Sequence, residues 1–208
     1  MSRAPQVDNS TFDQKIMLRQ TAVRALGSVT PVVMETHGGI GDVYGTVYRD
    51  VEDGVVFEKD SSRTAVLAHQ RPSWAVYECD CVPALQLGAG GHLRVNLLDV
   101  DPYGDAWPAI QAFMSSRRPF ADRMVVVVND GLRQKVRGGG SWDSGTLAPV
   151  VERWGNDLWG KYLEVCEWLM GEAAKKAGYR VDFFDGYYTG VEKKMTHYLA
   201  ILSQGTRR

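Results

Sequence analysis

Val32–Gly41 reads VVMETHGGIG, an apolar run that ends in an acid and a glycine-rich turn. Three apolar residues make a short strand, Glu35 closes it, and glycines at 38, 39 and 41 turn the chain toward a helical stretch. A short continuous apolar run fits a strand covered on both faces, as in a parallel sheet between helix layers. Glycine is needed where backbone turns sharply and approaches a ligand without a Cβ in the way. An acid at the strand end can accept hydrogen bonds from a cationic amine. A purely structural βα turn uses the same residue types, so the surrounding chain has to decide.

Outward from this stretch the pattern repeats. Apolar runs recur at Val55–Glu58, Trp74–Tyr77, Val95–Leu98 and Met124–Val128, each bounded by glycine or an acid. Between them, 42–50, 61–69, 82–88 and 106–116 are long enough for crossover helices, an alternation that argues for an open α/β sheet. Upstream, residues 1–11 form a loose tail and 12–26 an amphipathic helix stopped by Gly27. Downstream, Leu158, Tyr162, Val165, Leu169 and Ala173 step by three and four, predicting a helix over 150–177 that ends at Gly178. Arg180–Phe184, a turn at Asp185–Gly190, and Tyr198–Leu202 then read as a hairpin. The fold class is therefore α/β: one domain over residues 1–208, an open, mostly parallel seven-stranded sheet flanked by helices, its last strand antiparallel.

Composition narrows the function. The chain has 208 residues, 44% hydrophobic and 24% charged, with a net charge of −1. No global positive field draws it to nucleic acid, so such a partner needs a local patch. Three cysteines (Cys79, Cys81, Cys166) without paired spacing predict neither a disulfide framework nor a zinc site, and four histidines lack metal-ligand spacing. The polar N-terminus and the lack of long apolar runs predict no membrane span and a cytoplasmic location.

The acids that close the strands carry the chemistry. Glu58 stands 17 positions after Gly41, where Rossmann-like folds put an acid on ribose hydroxyls. Asp60 is a helix N-cap candidate. Asp80 and Cys81 follow the third strand. Val95–Asp105, VNLLDVDPYGD, is the most informative segment. In-line attack by an amino group needs an acceptor for the amine's hydrogen bond or proton while its lone pair reacts. Asp101 can be that acceptor, helped by the Pro102 carbonyl; Tyr103 can be a stacking platform for an aromatic base, and Gly104 permits a close turn. The same four residues can also make an ordinary turn.

The glycine spacing, acid-x-x-x-Gly-x-Gly, departs from the GxGxxG dinucleotide fingerprint, which disfavours an NAD-dependent oxidoreductase. It resembles the first motif of S-adenosylmethionine (SAM)-dependent methyltransferases, in its E-x-F-x-G-x-G form. The order glycine turn, Glu58, Asp80, DPYG resembles class I enzymes of that kind along nearly the whole chain. The resemblance implies SAM as cofactor and S-adenosylhomocysteine as product. It implies cofactor contacts from Glu35, His37, Gly39, Gly41, Glu58, Asp80 (at the adenine amino group), Cys81 (along the adenine face) and Asp99. Asp101–Gly104 is similar to the D/N/S-P-P-Y/F motif of amino-methyltransferases, and closer still to the D-x-D-P-Y/F-G motif of the tRNA (guanine-N2) dimethyltransferase family. That likeness implies Asp101 as the catalytic residue, with Pro102 and Tyr103 beside it.

Three loops, 101–106, 129–145 and 185–194, should reach the ligand edge of such a sheet. Arg133, Lys135, Arg137, Trp142 and Tyr187 are the substrate-binding candidates, since cations hold phosphates and aromatics stack on bases. They favour a nucleic acid, RNA before DNA. A small-molecule or protein amine, or a SAM-binding module without turnover, are the alternatives.

Overall fold

A computed structural model of the chain describes residues 11–137 and 148–205. Seven strands form one sheet in the order β3-β2-β1-β4-β5-β7-β6. They are β1 (Val32–Glu35), β2 (Asp53–Glu58), β3 (Ala75–Glu78), β4 (Leu97–Val100), β5 (Arg123–Asp130), β6 (Tyr179–Thr189) and β7 (Met195–Gln204). The first five are mutually parallel, and β7 runs antiparallel to both β5 and β6. The expected sheet is therefore present, including its reversed last strand. Among the described residues seven helices flank it: α1 (Phe12–Ala25), α2 (Ser61–Gln70), α3 (Cys81–Gln86), α4 (Trp107–Ser115), α5 (Arg133–Arg137), α6 (Ala148–Trp154) and α7 (Tyr162–Lys176), with a π-helical turn at Tyr44–Tyr48. No helix among the described residues is long and apolar enough to cross a membrane.

Strand side chains alternate between two cores, as the two-residue period requires. Met124, Val126 and Val128 enter the core under α3, α4 and α7, while Val125 and Val127 enter the core under α1 and the π-turn. All five are fully buried, which is why their run is apolar at every position. On β4, Leu98 and Val100 face the first core, so Asp99 between them faces α1.

Four local expectations are corrected. The fourth strand spans Leu97–Val100, not Val95–Leu98, and places Asp99 inside the strand. The predicted helix over 150–177 is two helices, because Gly155, at φ 51, turns the chain between α6 and α7. Asp185–Gly190 is no turn: β6 continues to Thr189, and a Cβ on Gly186 would meet Leu163 at 2.7 Å and Tyr198 at 2.8 Å. That glycine serves close approach to the neighbouring strand and α7. Finally, 129–145 is not one loop, since β5 runs to Asp130 and α5 follows.

Candidate functional site

The strand order reverses between β1 and β4, and such a switch point opens a crevice beyond the carboxyl ends of the strands. Glu35 and Asp99 pair across it. A cavity of about 650 Å³ occupies this place. Gly38, Glu58, Asp80 and Asp101 all line it, from the ends of β1, β2, β3 and β4 respectively.

The glycine turn is shaped by contact on one side and by space on the other. A Cβ on Gly38 would lie 2.5 Å from Val56 Cγ2 and 2.6 Å from Leu67 Cδ1, so the backbone presses against the sheet and α2. Gly39 has φ 56, and a Cβ there would meet nothing within 4 Å. Its main chain therefore faces open cavity. Glu58 ties the turn to β2: one carboxylate oxygen accepts from Gly39 N (2.9 Å), the other from Asp60 N (3.0 Å). Asp60 caps α2 through Ser62 N and Arg63 N, and Asp80 caps α3 through Val82 N at 2.8 Å. Among the described residues, neither Glu58 nor Asp80 has a cationic partner. Gly41 has φ 87 and packs on Gln70, behind the cavity wall.

His37 and Cys81 meet between these elements, with Nε2 3.8 Å from Sγ and Nδ1 2.8 Å from Thr36 Oγ1. Burial lowers the imidazole's pKa and pushes the Cys81 thiol up to about 12. Both side chains line the cavity in neutral form.

Glu35, Asp99 and Asp101 are already partnered. Glu35 is buried and bonded by Arg71, whose guanidinium lies 4.2 Å from the centroid of the Tyr44 ring. Burial pushes the Glu35 carboxyl above its usual range while Arg71 opposes the shift. Asp99 accepts both arms of the Arg19 fork (2.6 and 2.7 Å) and the Tyr48 hydroxyl (2.8 Å). Asp99 also lines the cavity, with both oxygens engaged by Arg19 and Tyr48. Asp101 accepts from Lys15 Nζ with both oxygens, at 2.9 and 3.1 Å, and from Arg19 at 3.4 Å. Burial works to raise its pKa, but Arg19 and Lys15 outweigh it and hold the carboxyl below its usual range. Pro102 and Tyr103 follow at the mouth, with Tyr103 84% exposed.

Among the described residues, Arg133, Lys135 and Tyr187 lie outside the cavity lining. Arg133 is buried, sandwiched between the rings of Trp159 and Tyr188 (3.6 Å to each centroid) and bonded to the carbonyls of Trp159 and Lys193. It braces the turn after β6. Tyr187 gives its hydroxyl to the Gln14 carbonyl (3.1 Å), and Lys135 is exposed on α5 outside the lining. The Arg137 side chain and Trp142 lie outside the described residues. Lys15, Arg19 and Lys194 line the cavity instead. Arg19 had a legible signal: it shares one face of α1 with Ile16 and Ala22, and a charge on the buried face of an amphipathic helix needs a buried partner.

This arrangement is the Rossmann-like fold of class I methyltransferases. The solved structures that it resembles include TYW2 of M. jannaschii in complex with AdoMet (TM-score 0.54, 9% identity, 98% of this chain and 80% of that one). Another is the plantazolicin methyltransferase BpumL in complex with SAH (TM-score 0.58, 8% identity, 94% and 86%). A third is the methyltransferase domain of bacterial CtHen1-C (TM-score 0.51, 17% identity, 93% and 99%). No family model and no curated protein matches the chain.

Proposed function

We propose that the chain is a SAM-dependent methyltransferase acting on an amine. The observation that carries this reading is the convergence of Gly39, Glu58, Asp80 and Asp101 from four strand ends on one cavity. The site fits the cofactor: the open main chain at Gly39 is a cradle for its amino-acid end, and two acids without cationic partners suit its hydroxyls and amino group. Bound there, SAM would supply an electrophilic methyl group. The likeness to structures solved with AdoMet and SAH supports the same reading. Glu58 would turn from the Gly39 amide toward the ribose, Asp80 would hold the adenine amino group, and His37 and Cys81 would wall the adenosine. Asp101, kept ionised beside Arg19, would accept the hydrogen bond of the acceptor's amine and orient its lone pair. Tyr103 would support a flat acceptor at the mouth.

The acceptor proposed first is the exocyclic amine of a nucleic-acid base, with tRNA guanine N2 the best match to the DPYG segment. A small-molecule amine is the second reading, favoured by the inward turn of Arg133 and Tyr187. Transfer of labelled methyl from SAM to pooled tRNA, rRNA, DNA and amine metabolites tests both. Asp101→Ala should lower that transfer by about 10²- to 10⁴-fold with SAM binding unchanged; transfer within a few-fold of wild type contradicts the assignment. Activity that falls steeply with salt supports nucleic acid, and salt-insensitive activity supports the small amine.

A further inference from the structure

Residues four apart on a helix share a face, about 5–6 Å apart at their Cβ atoms, and residues two apart on an extended strand share a face at about 6.6 Å. Lys15 and Arg19 of α1 are related in the first way, Asp99 and Asp101 in the second. The two spacings match, and the pairs meet in register, Arg19 on Asp99 and Lys15 on Asp101.

The two ion pairs differ in kind. Arg19 and Asp99 form a two-armed fork with side chains 0% and 2% exposed, closed further by Tyr48. Lys15 meets Asp101 through one nitrogen, with side chains 24% and 20% exposed, at the cavity wall. A buried fork resists exchange, whereas a partly exposed single-nitrogen contact on a flexible stem gives way readily. The helix does not depend on Lys15 for its placement. Arg19 anchors its middle, and the Tyr187 hydroxyl and Thr189 hold Gln14 in its first turn.

We propose that Lys15 is the specificity-determining occupant of the acceptor subsite: its ammonium sits on Asp101 where the acceptor's amine would sit, and is exchanged for it. The inference rests on the amine-acceptor reading of Asp101. It follows that an acceptor must bring an N–H donor able to replace an ammonium. An acceptor without one leaves Lys15 in place and the subsite filled.

Chemical rescue of the full chain tests this without knowledge of the acceptor. In Lys15→Ala, n-butylammonium chloride should refill the vacated position. At about five times its Kd the melting temperature should rise by about 2–4 °C, while tetramethylammonium chloride at equal concentration has no such effect. Wild type, whose subsite is filled, and the Lys15→Ala/Asp101→Asn double variant should both fail to respond. An equal response in wild type and Lys15→Ala, or a response in neither, overturns the proposal. SAM titrated in the same assay separates the two claims: if SAM stabilises neither protein, the methyltransferase reading fails, whatever the amine does.

Discussion

Asp101 and Asp130 stand at the ends of adjacent strands and are held in opposite ways. Asp101, just beyond β4, faces Lys15 and Arg19, and the cations keep it ionised at the cavity wall. Asp130, the last residue of β5, is sealed beneath α7, where it accepts from Leu132 N (2.6 Å) and the Tyr162 hydroxyl (2.8 Å). No cationic side chain among the described residues pairs with it, and burial raises its pKa to about 7. Strand position brings an acid to the sheet edge. The charge of its neighbours then decides whether it is available for chemistry or is a proton-holding part of the core.

The largest effect is expected at Arg19. Arg19→Leu would leave Asp99 as a buried acid without a cation, like Asp130, at a cost of about 3–5 kcal/mol in denaturant unfolding. A loss under about 1 kcal/mol would show that the fork is not what neutralises Asp99.

A pH-dependent effect of comparable size should come from Asp130→Asn. The folded pKa of Asp130, about 7, lies above the unfolded value of about 3.9. The folded protein therefore holds the extra proton between the two, and this contribution to stability is full below about pH 4 and lost as pH rises through about 7. Wild type should lose stability as pH rises through that window, and Asp130→Asn should show a flatter profile. Parallel profiles would mean that Asp130 keeps an ordinary pKa in the folded state.

The smallest effect is expected at the glycine turn. Gly39→Ala meets no steric obstacle, so it should cost only the left-handed backbone strain, about 1–2 kcal/mol in thermal or denaturant unfolding. A larger loss would mean that the turn is packed on both sides.

Much of this was legible in the sequence because it depends on local rules. The unbroken apolar run at Met124–Val128 marks a strand covered on both faces, and acids after glycine turns or strand ends mark the edge where ligands bind. The direction of a long side chain is not a local property. Arg133 reads as a cation on a loop, and only the folded chain shows Trp159 and Tyr188 closing over it. Tyr187 reads as a base-stacking ring but lies on an extended strand against α1. Asp99 reads as a strand-end acid, and only the folded chain shows a helix some 80 residues earlier bringing Arg19 to it. The break at Gly155 leaves no mark in the pattern, because the apolar spacing on its two sides stays helical.

Whether SAM lies in the cavity against Glu58 is decided by titration calorimetry with SAM on wild type and Glu58→Ala. Loss of a hydrogen-bonding charged group costs about 1.5–3 kcal/mol, so the variant should bind SAM about 10- to 100-fold more weakly, with NAD binding neither protein. Equal affinity in the two proteins, or no heat of binding with wild type, would contradict the account.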